Sequence, residues 1–75
     1  MIFAVEYDFP ARWAFDRVPW PTSAAVDAAI LRFAAERAPH LESRSCTVRA
    51  AGYWIRVRVD RKLGTVLVLW LERVR

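Results

Sequence analysis

Arg49, Trp54, Arg56 and Arg58 are the residues of this chain whose types and spacing could do chemistry. The last three stand two apart in YWIRVRVD, the run from Tyr53 to Asp60. Side chains alternate along a β-strand, so a strand here puts Trp54, Arg56, Arg58 and Asp60 on one face and Tyr53, Ile55, Val57 and Val59 on the other. A guanidinium stays charged and presents a planar fork of donors that fits a phosphate or carboxylate. An indole beside it offers a flat surface on which an unpaired base can stack. The chemistry on offer is the binding of an anionic partner. Each arginine taken singly also suits an ordinary solvated sheet face, and Trp54 also suits packing against a helix or the chain's other aromatics.

The charge distribution favours binding for the row as a whole. The 75 residues carry a net charge of +4, but residues 1 to 43 hold four basic and six acidic side chains. Residues 44 to 75 hold eight basic and two acidic ones, so the halves stand at −2 and +6. Such a basic half is the usual footprint of a nucleic-acid or acidic-protein partner. Eleven of the twelve basic residues are arginine.

Other chemistries find little to work with. Cys46 and His40 are the only residues of their kinds, so no intramolecular disulfide can form, and a zinc site would need carboxylates or a second chain. No metal and no cofactor is expected. Cys46 falls on the apolar side of its segment and reads as a small core residue. A lone cysteine fits a reducing compartment, and the N-terminus lacks a basic stretch followed by an apolar block, so a cytoplasmic setting without an export signal is expected. No run approaches the roughly 18 apolar residues of a membrane span.

One small domain, residues 1 to 75, must position these groups. A chain this short buries only about 60% of its unfolded surface, and its four tryptophans, two tyrosines and four phenylalanines help to make up the core. Ile2 to Tyr7 reads as a strand that Asp8-Phe9-Pro10 ends. Ala11 to Val18 reads as a helix between Pro10 and Pro19, with Trp13, Ala14 and Val18 placed to cover a sheet. Trp13 and Trp20 are either core or anchors for a partner. Pro19-Trp20-Pro21 is a rigid connector. A second helix follows, capped by Thr22 or Ser23, with Val26, Ala29, Ile30, Phe33 and Ala34 as its apolar stripe, and Pro39 ends it. His40 to Ser43 is loop. Arg44 to Ala50 alternates as a strand, Ala51-Gly52 turns, and Asp60 to Gly64 forms a hairpin whose glycine takes the left-handed conformation. Thr65 to Leu71 is apolar throughout, as in a strand flanked on both sides. The result is an α+β fold in the order β-α-α-β-β-β. It predicts a four-stranded, mostly antiparallel sheet with a helical hairpin on one face and the first strand beside the last.

Those residues and that order resemble the RelE/ParE toxin superfamily of type II toxin–antitoxin systems. VEYDFPARWAFDRVPWPTSAAVDAAILRFA is similar to that family's first strand and helical hairpin. TVRAAGYWIRVRVDRKLGTVLVLW is similar to its three-strand meander, with its arginine strand, its turn tyrosine and its R-V-D hairpin. The resemblance covers nearly the whole chain. Arg49 and Arg58 fall where family arginines are found. Two places depart from the pattern: Trp54 stands where many members carry arginine, and Glu72-Arg73-Val74-Arg75 stands where a Gly-His-Arg group is common.

The resemblance implies a toxin acting on translation by mRNA cleavage, or on DNA gyrase, and neutralised by an acidic antitoxin. Ribonuclease members need cations around the phosphate and a proton acceptor. Arg49, Arg58 and Arg73 are the catalytic candidates, and Arg49, Trp54, Arg56, Arg58 and Arg73 the nucleic-acid-binding ones, with the arginines converging on one sheet face. No base stands out: His40 lies in a loop, Lys62 at a hairpin tip, and arginine stays protonated. The alternative is a catalytically inactive member of the fold that binds protein or nucleic acid, or that assembles as a homo-oligomer.

Overall fold

The computed structural model describes residues 3–42 and 44–74. Ile2, expected to start the first strand, Ser43, expected in a loop, and Arg75 lie outside them. The elements run β1 (Ala4–Tyr7), α1 (Phe9–Phe15), α2 (Thr22–Glu36), a 3-10 turn (Ala38–His40), β2 (Arg44–Ala50), β3 (Tyr53–Asp60) and β4 (Thr65–Arg73). This is the expected β-α-α-β-β-β order.

Proline placement sets the helical hairpin. Pro10 sits in the first turn of α1, where its missing N–H costs nothing, and the Asp8 carboxylate accepts from the backbone N–H of Phe9 at 2.9 Å. The helix ends at Phe15, earlier than the sequence suggests. Arg17 and Val18 donate back to the carbonyls of Ala14 and Phe15, a tightening of the last turn that Pro19 forces by disfavouring helical geometry before it. Pro21, in a cis peptide bond with Trp20, takes the cap position of α2. Neither Thr22 nor Ser23 caps that helix through its side chain. Ser23 and Ala25 instead donate their backbone N–H groups to the carbonyls of Pro19 and Pro21.

The sheet order is β1-β4-β3-β2, with β1 parallel to β4 and the other neighbours antiparallel. The apolar run of β4 therefore lies inside the sheet, beside the first strand, as its composition predicts. Val26, Ile30, Phe33 and Ala34 of α2 and Ala11 of α1 are buried in one core cluster with Ile55, Val57, Val59, Val66, Val68 and Leu71. At roughly 1.5–3 kcal/mol per fully buried large aliphatic side chain, this layer dominates the fold's stability. Cys46 packs against it. Trp13, expected to help cover the sheet, is half exposed at 51%, with the Arg17 guanidinium 3.9 Å from its ring centre. Trp20 is 80% exposed. Neither is core.

Two polar links hold the layers in place. The Tyr7 hydroxyl donates to Asp27 Oδ1 at 2.9 Å, tying β1 to α2. Arg61 Nη1 donates to the carbonyls of Pro39 and Leu41 at 2.7 and 2.9 Å, tying the β3–β4 hairpin to the 3-10 turn.

One irregularity decides which side chains reach which face. In the β3–β4 ladder Arg56 opposes Trp70 but Val57 opposes Val68, so Leu69 is the extra residue of a β-bulge. Unbroken alternation from Val66 and Val68 would send Trp70 to the helices and Arg73 to the open face. The bulge reverses both.

Candidate nucleic-acid interface

Among the described residues no helix packs on the second face of the sheet, and three cross-strand rungs line it. Paired residues of neighbouring strands project to the same side, so the register reads Ser45–Arg58–Leu67, Thr47–Arg56–Trp70 and Arg49–Trp54–Glu72. Each rung carries one arginine. The backbone that holds them is well anchored, because every second residue of β3 (Ile55, Val57, Val59) is fully buried on the opposite side. The arginines thus stand on a rigid strand and not on a loop.

Thr47, Trp54, Arg56, Trp70 and Glu72 surround a shallow concavity of about 470 Å³, within the several-hundred-Å³ range of small-ligand sites. Trp54 and Trp70 are 42% and 44% exposed, and the Arg49 guanidinium lies 5.1 Å from the Trp54 ring centre. That stacking orients the indole and keeps a cation beside it. Among the described residues neither Arg56, Arg58 nor Glu72 has an ion-pair or hydrogen-bond partner. Free guanidinium groups around exposed ring faces can hold phosphates while bases stack. Among the described residues the only carboxylate lining the concavity is Glu72, an acceptor of hydrogen bonds or of a proton.

Four of the five expected binding residues come together here: Arg49, Trp54, Arg56 and Arg58. Arg73 does not join them. It opposes Tyr53, on the helix side, and borders a separate hollow with Pro19, Thr22 and Tyr53. The expected convergence of four arginines fails at that residue because the bulge shifts the face of everything after Leu69. His40 and Lys62 do not line the concavity. Among the described residues no three His, Cys, Asp or Glu side chains gather as a metal would require, and no helix is long and apolar enough to cross a membrane.

Sequence reasoning missed Thr47, Trp70 and Glu72. Thr47 was legible, since it alternates with Cys46 and Val48. Trp70 and Glu72 were hidden inside and just after the apolar run of β4, where only the bulge gives them to the open face.

Tyr7 shows the strongest electrostatic perturbation, and it is structural. Burial, followed by the hydrogen bond to and the charge of Asp27, pushes its hydroxyl well above the ordinary 10.0, with Arg12 opposing. The Arg12 guanidinium lies 4.8 Å from the Tyr7 ring centre.

No protein-family model matches the chain, and no curated protein sequence matches it. Solved structures do. A chain of the toxin–antitoxin complex RelBE2 from Mycobacterium tuberculosis aligns with 97% of this chain and 92% of its own length, with a TM-score of 0.68 and 19% identity. A chain of the archaeal RelE–RelB complex from Pyrococcus horikoshii OT3 aligns with 97% and 96%, with a TM-score of 0.70 and 15% identity. The chain has the RelE fold. In this RelE fold the basic half forms β2, β3 and β4, and their face away from the helices carries the arginine rungs.

Proposed function

We propose that the chain is the toxin of a type II toxin–antitoxin pair of the RelE/ParE class. The observation that carries this reading is the correspondence of nearly the whole chain to chains of two toxin–antitoxin complexes. The open face supports RNA as the target. Three rungs of arginine with two exposed tryptophans are suited to a single strand, whose phosphates need cations and whose unpaired bases need flat partners. An acidic antitoxin that covers the +6 half would neutralise both the charge and the stacking surface.

A second reading is a member of the same fold that binds without cleaving. It is favoured by the absence of histidine from the concavity and by Glu72-Arg73 in place of the family's Gly-His-Arg group.

Inducible expression tests both. A toxin arrests growth when produced alone, with ribosome-bound mRNA cut. Growth arrest with loss of DNA supercoiling and intact mRNA would move the target to gyrase. Unimpaired growth, with RNA binding retained in vitro, would leave the binding module.

A further inference from the structure

Resting on the RNA-binding reading, we infer that the concavity is a base-reading pocket that selects guanine, with Glu72 as the specificity-determining residue. The arginines of the open face suit phosphate, yet the carboxylate of Glu72 lines the hollow between them. A fixed negative charge there weakens phosphate binding, so its placement calls for a ligand group that it serves. Glu72 stands directly across from Trp54, and Trp70 is their diagonal neighbour on the Arg56 rung. A base stacked on either indole turns its edge toward the space that Glu72, Thr47 and Arg56 also line.

The chemistry of that edge singles out one base. An ionised carboxylate has two oxygens that only accept, so it pairs best with two donors side by side. Guanine alone among the four RNA bases offers this on its Watson–Crick edge, through N1–H and the N2 amino group. Cytosine and adenine each present one amino donor beside a ring nitrogen that accepts, which a carboxylate repels. Uracil presents one N–H between two carbonyl oxygens. Bidentate side-chain pairs to a base edge discriminate against the wrong base by about 1–3 kcal/mol, and single-stranded RNA exposes this edge for reading. Glu72 has no partner among the described residues, so no internal bond must break for it to act.

The test uses four fluorescent pentaribonucleotides, UUGUU, UUAUU, UUCUU and UUUUU, titrated at low salt into the intact chain. Wild type should bind UUGUU about tenfold more tightly than UUUUU, the lower part of the range for a bidentate pair. Glu72→Gln should lose that ratio while binding UUUUU as well as or better than wild type, since it removes a repulsive charge. A thermal melt verifies that the variant folds, as an exposed substitution should. Equal affinity of wild type for all four oligonucleotides overturns the inference and leaves the RNA-binding reading standing. So does a guanine preference that survives Glu72→Gln. If wild type binds none of them, the RNA-binding reading itself fails and the pocket falls with it.

Discussion

At the scale of single residues, β3 separates the arginines of the open face from the side chains that hold the sheet. Replacing Arg56 and Arg58 together with glutamine should change stability by no more than about 0.5 kcal/mol per site, because both are exposed. RNA binding should fall, and its dependence on salt should flatten. Single strands lose affinity with a log–log slope of about −0.7 per phosphate neutralised, so removing two contacts should make the slope shallower by about 1.4. Arg73→Gln is the matched control: on the helix side of the sheet it should leave affinity and slope unchanged. Ile55→Ala should do the reverse of the arginine change. That side chain is fully buried, and its loss should cost about 2–5 kcal/mol in a denaturant melt while the binding face keeps its groups. Tyr7 gives the pH dependence. Its folded-state pKa is raised above the ordinary 10.0, so its contribution is fully present below pH 10 and is lost as pH rises from there toward the higher folded value. Tyr7→Phe should lower stability by about 0.5–1.5 kcal/mol at neutral pH, through loss of the bond to Asp27. It should also flatten the alkaline decline of the melting temperature, and an alkaline limb as steep as that of wild type would rule out Tyr7 as its source.

At the scale of elements, the two hairpins differ in how well their turn residues suit them. The β2–β3 connection has only Ala51 and Gly52 between paired strands, with φ of 52° and 82°, the two positive angles of a type I′ turn. Glycine adopts this freely, whereas alanine pays about 1–2 kcal/mol for the left-handed region. Ala51→Asn should therefore stabilise the domain by up to about 1 kcal/mol, a rise of about 4–8 °C in Tm for a chain of this size. The same substitution should leave RNA affinity unchanged if the turn only sets register. The β3–β4 hairpin is already suited, with Gly64 at φ 66° and the Asp60 carboxylate accepting from the Leu63 N–H at 3.0 Å. Both turns were legible in sequence from their glycines. The helix ends were less so, because prolines, and not capping side chains, decide them: Pro19 tightens the end of α1, and Pro21 takes the cap from Thr22 and Ser23.

At the scale of the whole molecule, polarity is the main feature. Residues 1 to 43 carry six of the eight acidic side chains, and residues 44 to 75, which include the three-strand meander, carry the +6. If the chain is the toxin proposed above, a neutralising partner should contact the meander through carboxylates, and its affinity should fall as added salt screens them. Isothermal titration of such a partner across a salt series measures this, and an affinity indifferent to salt would place the interface elsewhere. The exposed Phe9, Trp13 and Trp20 on the helical side give such a test a second surface to compare.

What the sequence alone determined is the set of elements, their order and most of the residues that share the open face. Alternation in β3 separates Arg56 and Arg58 from Ile55 and Val57, the helical spacing of Val26, Ile30 and Phe33 defines one packing face, and the apolar run of β4 asks for a neighbour on each side. These are local periodicities, and each residue carries its share of the signal. Tertiary structure alone decided which way the end of β4 faces. A strand read in isolation has no marker for an extra residue, because a bulge exists only as a mismatch with its partner, here Val57 opposite Val68 after Arg56 opposite Trp70. That one residue buries Leu71, turns Arg73 to the helices, and brings Trp70 and Glu72 into the hollow beside Trp54 and Arg56.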